Sequence, residues 1–309
     1  MAEKTTKYYA HGKLLLTGEY LVLKGAKALA LPLKPGQSMT VTSGNPKKSI
    51  TWKAFTPDKI WFSCEFQLQD FKIIQSTDPG KAELLKKILE TIQQLNPDFP
   101  FENGFDIQTK LEFEPHWGLG SSSTLIANLA SWTNVDPYRL NELIFKGSGY
   151  DIACATANRP IFYQREQKPA PVNLEYPFED HLFFVFSGTK KNTRHGIGHF
   201  LNTKTDISNA IGLIDVISKN ISQTKTLTDF QKLISEHEKI ISEIIGKQPV
   251  QQKYFNDFSG VIKSLGAWGG DFYLAASSMN ESATKNYFCN KGLQTIFSWK
   301  ELILNNQQK

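Results

Sequence analysis

The chain has 309 residues, 40% of them hydrophobic and 21% charged, a composition that excludes collagenous, low-complexity and disulfide-scaffold classes. Its formal charge of +5 suits an anionic ligand and nucleic acid alike. The lysines and arginines are scattered, however, with no binding module interleaving them with aromatics, so nucleic acid is not an expected partner.

At this length two domains, or one large α/β unit with a dependent lobe, are expected. Cys64, Cys154 and Cys289 lie far apart and odd in number, which argues against a disulfide framework and for buried thiols. The six histidines have no CxxC-type cysteine pair to join, so a protein-held zinc site is not expected. The first ten residues are polar, and no later stretch approaches the roughly 18 apolar residues of a membrane span. A cytoplasmic protein with no membrane partner is the expectation.

In chain order, Lys13–Leu16 reads as a strand that continues through Tyr20–Leu23 across a Gly-Glu turn. Alternation at Met39–Thr42, Ile50–Phe55 and Ile60–Phe66, broken by Gly, Asn, Pro and Asp, predicts an antiparallel meander. Ala82–Leu95 repeats apolar residues at three-and-four spacing and predicts a helix; Phe105–Leu111 predicts a strand. Pro115–Ser123 is a turn-rich loop opening an apolar helix over Thr124–Trp132. Asp136 and Pro137 are an N-cap and first-turn pair for a short helix ending near Lys146. Ile161–Tyr163 and Leu182–Phe186 predict strands, and the Pro-rich interval Lys168–Pro177 between them is the expected boundary of two domains, 1–167 and 178–309. Helices are expected over Ile207–Ile221, Leu227–Ile245 and Phe255–Leu265, and a strand over Phe272–Ala276. The class is α+β in two lobes.

The local signal that points most clearly to chemistry is Gly118-Leu119-Gly120-Ser121-Ser122-Ser123 at a helix start. Free backbone N–H groups and the positive end of the helix dipole favour a phosphate there. No Gly-Lys-Ser/Thr follows, so it is not a Walker A loop, and it lacks the third glycine of a dinucleotide fingerprint. Alone, the stretch reads more readily as a Gly/Ser turn with a serine N-cap. Three companions change its weight: Gly12-Lys13-Leu14 to Gly18-Glu19-Tyr20, Gly147-Ser148-Gly149-Tyr150-Asp151, and Gly266-Ala267-Trp268-Gly269-Gly270-Asp271.

These four motifs, spread over nearly the whole chain, resemble those of the GHMP kinase superfamily of small-molecule kinases. The resemblance implies an N-terminal lobe like domain 2 of ribosomal protein S5 and a ferredoxin-like C-terminal lobe, with ATP and Mg²⁺ as cofactors. It implies that Lys13 reaches the reacting phosphates and that Asp151 is the catalytic carboxylate, accepting or orienting the acceptor's proton. Pro115 and Gly118 to Ser123 correspond to the ATP-phosphate loop, with Ser122 and Glu142 as Mg²⁺ ligands. Glu19, Tyr20, Gly269, Gly270 and Asp271 fall on the substrate side. So do Lys190, Thr193 and Arg194, from a basic segment that also reads as a solvated turn.

Two positions depart from the family pattern, His11 at a proline and Trp268 at a glycine. Glu19-Tyr20 and the Gly-Gly-Asp ending favour a phosphomevalonate kinase, whereas Thr189 to Arg194 favours a mevalonate kinase. The expected acceptor is therefore the small molecule 5-phosphomevalonate, with mevalonate as the alternative. A diphosphomevalonate decarboxylase and a non-catalytic nucleotide-binding protein are further alternatives, and a homodimer is left open. His116 and His237 receive no role, His237 reading as a helix-surface or packing residue.

Overall fold

Alternating side chains carry two long strands, β1 (Thr5–Thr17) and β2 (Ala28–Ser43), in the structure, a computed structural model that describes residues 4–44, 48–189, 200, 207–266 and 270–305. Lys190, Thr193, Arg194, Trp268 and Gly269 lie outside the described residues. The chain clusters into two units. One comprises residues 1–12, 35–115 and 119–156; the other comprises 13–34, 116–118 and 157–309. The expected boundary at Lys168–Pro177 thus falls inside the second unit, which also draws in the segment 13–34 from the start of the chain.

In the first unit the order of strands is β5 (Ile73–Ser76), β4 (Ile60–Gln67), β3 (Ser49–Phe55), β6 (Phe105–Leu111) and the second half of β2. β3 and β4 form the expected hairpin. β2 and β3 are not neighbours, because β6 lies between them, antiparallel to β2 and parallel to β3. The meander is corrected accordingly: a parallel pair needs a crossover, and helix α1 (Pro79–Leu95) provides it. α1 is capped by Asp78, whose side chain accepts from the Lys81 N–H, with Pro79 in its first turn.

Trp52, Ile50 and Phe66 on the inner sheet face pack with Ile88, Leu89 and Ile92 of α1. The same core receives Ile126 and Leu129 of α2 (Ser121–Thr133), Leu140 of α3 (Pro137–Phe145) and Ile152 of α4 (Tyr150–Thr156). Three alanines, Ala10, Ala127 and Ala155, let β1, α2 and α4 approach closely.

In the second unit the first residues of β2, Ala28–Ala30, pair with β7 (Ile161–Tyr163), and β7 pairs with β8 (Ala170–Pro171). A separate antiparallel sheet has the order β10 (Val261–Leu265), β11 (Phe272–Ala276), β9 (Leu182–Phe186), β12 (Ile296–Ser298). Every residue of β9 and β11 is buried. Helices α5 (Ser208–Gln223) and α6 (Leu227–Ile245) pack together, and α6 lies against β10. α6 covers the predicted Leu227–Ile245; it begins at an N-cap Thr226 and ends at Gly246 in the left-handed conformation. The short helices α7 (Val250–Tyr254), α8 (Glu281–Asn290) and α9 (Trp299–Leu302) complete the unit.

Two local readings are corrected here. Phe255–Leu265 is not a helix: α7 stops at Tyr254, Gly260 interrupts the segment, and Val261–Leu265 is strand β10. Tyr20–Leu23 is not a strand continuation. Leu21–Lys24 forms a 3₁₀ turn, entered through Tyr20 at φ 61°. Cys64 and Cys154 are buried thiols, as expected, while Cys289 is half-buried; none of the three is in a disulfide.

Candidate active site

Gly118 and Gly120 have φ of 73° and 102°, backbone states that glycine reaches without steric cost. Helix α2 begins at Ser121, so Ser121 to Ser123 are its first turn rather than loop residues. Its N-cap is Gly120, which has no side chain of its own to cap the first-turn N–H groups. A glycine N-cap on a 13-residue helix leaves those donors and the positive dipole end available to an anion.

The serines are not equivalent. Ser122 is exposed and Ser121 half-buried. Ser123 is buried, its hydroxyl donating to the Gly120 carbonyl at 2.9 Å. Thr124 adds bonds to the Gly120 and Ser121 carbonyls and to Gln37 Oε1, each 3.1 Å. Ser123 and Thr124 therefore hold the loop, and Ser121 and Ser122 face outward from it. Leu119 is 1% exposed and anchors the turn in the core, offering a ligand only its backbone.

Three of the four motifs converge on Gly118 within the second unit. Lys13, half-buried near the middle of β1, donates from Nζ to the Gly118 carbonyl at 3.0 Å across 105 residues of sequence. From Gly266–Asp271, the third of the loop's companion motifs, the Asp271 carboxylate lies so close that a Cβ on Gly118 would fall on it. Gly270, at φ 55°, has the Phe272 carbonyl where a side chain would begin, and the Asp271 carbonyl accepts from the Ser187 N–H at 2.9 Å. Trp117, just before Gly118, packs its ring 5.5 Å from Phe297 and 6.1 Å from Phe186. The sequence reading gave Trp117 no role; an aromatic flanking a glycine loop is the signal that could have found it.

Asp151 sits in the first turn of α4, half-buried, with its Oδ1 accepting from the Ile152 N–H at 3.1 Å. The Ala10, Ala127 and Ala155 contact packs α4 against α2, the helix that the glycine loop opens. Glu142, on α3, is exposed and paired with Arg139 one turn earlier at 2.7 Å. Beside Ser121 and Ser122 the first unit has a cavity of about 100 Å³ lined by Trp52, Trp61, Leu84 and Ile88. Lys81 places its Nζ 5.2 Å from the Trp61 ring centroid.

Glu19 and Tyr20 are both buried in the second unit. The Leu21 N–H bonds to the Glu19 carbonyl at 2.7 Å across Tyr20, a three-residue turn that holds Tyr20 in a rarely populated region. The Tyr20 ring packs on Phe200, with centroids 5.5 Å apart. The Glu19 carboxylate is bonded to Lys263 Nζ, and both side chains are nearly inaccessible. Burial pushes the Glu19 carboxyl up to about 7, against the pull of Lys263.

His237 is fully buried. Its Nε2 accepts from the Gly18 N–H at 3.0 Å, and burial, reinforced by the Lys263 charge, holds it well below the usual imidazole range. His237 is neutral with its proton on Nδ1, so its 3.2 Å contact with Glu19 Oε2 is not an ion pair. Sequence reasoning missed Lys263, a lysine inside an apolar strand, and left His237 without a role.

No known family model matches the sequence, and no curated protein matches it. Solved structures do. Mevalonate kinase from Methanococcus jannaschii is 18% identical over 99% of each chain, with a TM-score of 0.70. Phosphomevalonate kinase from Streptococcus pneumoniae, in complex with phosphomevalonate and AMPPNP, is 16% identical over 96% of this chain and all of its own, with a TM-score of 0.69. Lactococcus lactis galactokinase, complexed with galactose, is 14% identical over 99% of this chain and 95% of its own, with a TM-score of 0.68. These neighbours are all members of the GHMP kinase superfamily, and the chain has the GHMP kinase fold.

Proposed function

We propose that this chain is an ATP-dependent small-molecule kinase of the mevalonate pathway that transfers the γ-phosphoryl group of ATP to 5-phosphomevalonate. One observation carries the reading: Lys13, Gly118 and Asp271, from three separate motifs, meet at the glycine loop whose helix begins at a glycine N-cap. A lysine and a row of backbone N–H groups are what a loose, highly charged phosphoryl-transfer transition state requires. The Gly-Gly-Asp ending at Asp271 favours 5-phosphomevalonate over mevalonate as acceptor.

In this reading the first-turn N–H groups of α2 and the Gly118–Ser122 backbone hold the ATP phosphates, and Lys13 offsets charge on the γ-phosphoryl group. The Trp61 ring, at the small cavity beside Ser122, offers the flat purine an apolar face. Asp151 orients the acceptor phosphate or takes up its proton. An acceptor oxygen bonds to the γ-phosphorus, the bond to the β–γ bridging oxygen breaks, and ADP leaves.

Among the described residues no cluster of three or more His, Cys, Asp or Glu could hold a metal by itself. Ser122 and Glu142 fit the alternative of a Mg²⁺ carried mainly by the nucleotide, since both are exposed oxygen donors and the surface Arg139–Glu142 pair costs little to open. Bound there, Mg²⁺ would supply charge neutralisation to the phosphates.

The test offers purified protein with Mg²⁺-ATP to 5-phosphomevalonate, mevalonate, galactose and homoserine in parallel, following ADP release. ADP formed with 5-phosphomevalonate alone supports the proposal. Turnover of mevalonate instead moves the assignment to mevalonate kinase, release of carbon dioxide from diphosphomevalonate identifies a decarboxylase, and no turnover of any acceptor overturns the reading.

A further inference from the structure

The second unit buries four ionisable side chains together: Glu19 from the end of the first motif, Lys263 from β10 leading into the third, and His237 and Glu238 from α6. Charged groups are rarely buried without a partner, and each such group carries a desolvation cost that hydrophobic residues of the same volume would avoid. Here the partners are specific. Lys263 Nζ bonds to the Glu19 carboxylate and donates to the Ser264 carbonyl at 2.7 Å. The Glu238 Oε1 accepts from the Ser264 N–H at 3.3 Å, and His237 Nε2 accepts from the Gly18 N–H at 3.0 Å.

The four side chains thus bind backbone at two points: Gly18, where the Lys13 strand ends, and Ser264, where the chain runs out towards Gly270 and Asp271. Both points are themselves constrained. A Cβ at Gly18 would collide with Ala28, and Tyr20 is held at φ 61° by the turn across it. A rarely populated backbone state persists when surrounding contacts over-determine it, and this network is that surrounding. Removing it would leave the local turn free to relax while the apolar core of the unit, around Phe183, Phe255 and Phe288, stayed intact.

We infer that Glu19 and Lys263 are positioning residues, a buried clamp that sets the first motif against the third and so fixes Lys13 and Asp271 at Gly118. As a statement about phosphoryl transfer this rests on the kinase reading above; as a statement about the Gly118 site it does not. Lys13 and Asp271 need to be held to a fraction of an ångström, because a displacement of about 1 Å at a reacting centre costs roughly 100-fold in rate.

The test is a double-mutant cycle of Glu19→Gln, Lys263→Met and the two combined, read by thermal unfolding, by turnover, and by hydrogen exchange of the peptide covering His116–Gly118. Each single variant lowers the unfolding temperature, by leaving a buried group without its partner. The double variant regains part of that loss, since the Glu19–Lys263 pair is removed as a whole while Glu238 keeps its bond from the Ser264 N–H. Despite this it exchanges its His116–Gly118 amides about 10-fold faster than wild type, and its kcat falls about 10-fold to 100-fold with little change in KM for ATP. Glu19→Asp keeps the charge but withdraws the carboxylate by one methylene; it gives a smaller loss in the same direction and keeps the test open if the double variant does not fold. Wild-type exchange at His116–Gly118 in the refolded double variant, or in Glu19→Asp, overturns the clamp. Faster exchange in a protein whose wild type turns over no acceptor upholds the clamp and removes the kinase reading alone.

Discussion

The Lys13 ammonium is bonded to the Gly118 carbonyl at 3.0 Å, so a lysine of the first motif is tied to the glycine at which the phosphate loop begins. A transferred phosphoryl group would compete with that carbonyl for the ammonium. Lys13→Met is expected to reduce kcat by roughly 100-fold to 1,000-fold, as loss of one preorganised electrostatic contact does, in a coupled assay of ADP release. Because Lys13 is only half-buried, its unfolding temperature should change little.

Gly118→Ala tests the same locus from the backbone side. Alanine at φ 73° is strained, and its Cβ meets the Asp271 carboxylate. The expected outcome is a loss of about 1–3 kcal/mol in stability together with weaker binding of AMPPNP, measured by denaturant unfolding and calorimetry. Wild-type nucleotide affinity would remove Gly118 from the phosphate site.

Asp151→Asn should lower phosphoryl transfer by about 100-fold to 10,000-fold, the usual range for a positioned acid or base, while leaving AMPPNP affinity within about threefold. The loss should be smaller with 5-phosphomevalonate, already anionic, than with mevalonate, whose hydroxyl must lose a proton. Unchanged kcat on both acceptors removes the catalytic assignment.

His237 gives stability a pH dependence of definite sign. Its folded-state pKa lies well below 6.5, so as the pH falls through 6.5 the unfolded chain takes up a proton that the folded chain does not, and stability is lost. Glu19 acts oppositely: raised from 4.5 to about 7 by burial, it stabilises the fold most at low pH, and that contribution is lost as pH rises towards 7. In His237→Gln, which still offers an acceptor to the Gly18 N–H, the unfolding temperature relative to wild type should rise steadily as the pH falls from 6.5 to 5. A difference that is flat with pH contradicts the buried neutral imidazole.

Removing divalent metal with EDTA, in the absence of nucleotide, should leave the unfolding temperature unchanged, since no cluster among the described residues could hold a metal alone. The same treatment should abolish turnover and the stabilisation given by ATP.

Local periodicity and caps were enough for much of the fold. Asp136-Pro137 before α3, and Gly246 after α6, mark helix ends by side-chain and backbone chemistry that acts within a few residues. Phe255–Leu265 misled because Phe255, Phe258, Ile262 and Leu265 are spaced as a helix face, whereas Ile262 and Leu265 belong to a short strand buried on both faces; Gly260, near φ 150°, is where the pattern breaks. The insertion of β6 beside β3 was illegible because parallel pairing is set by a crossover and leaves no mark in either strand. Of the loop serines, the family resemblance gave Ser122 the role of Mg²⁺ ligand, but that Ser122 is exposed while Ser123 is buried and bonded to the Gly120 carbonyl depends on which side of the helix start each faces.

The sequence by itself determined the α+β class, the presence of a helix after the glycine-serine loop and the spacing of four glycine-bearing motifs, because helix caps, turns and apolar periods are short-range properties. Only the tertiary structure decided that Lys13 and Asp271 meet at Gly118 and that Glu19 is buried against Lys263, 244 residues away. Such pairings depend on which surfaces the packed unit brings together and on the removal of water from between them. Neither is encoded in any window of neighbouring residues.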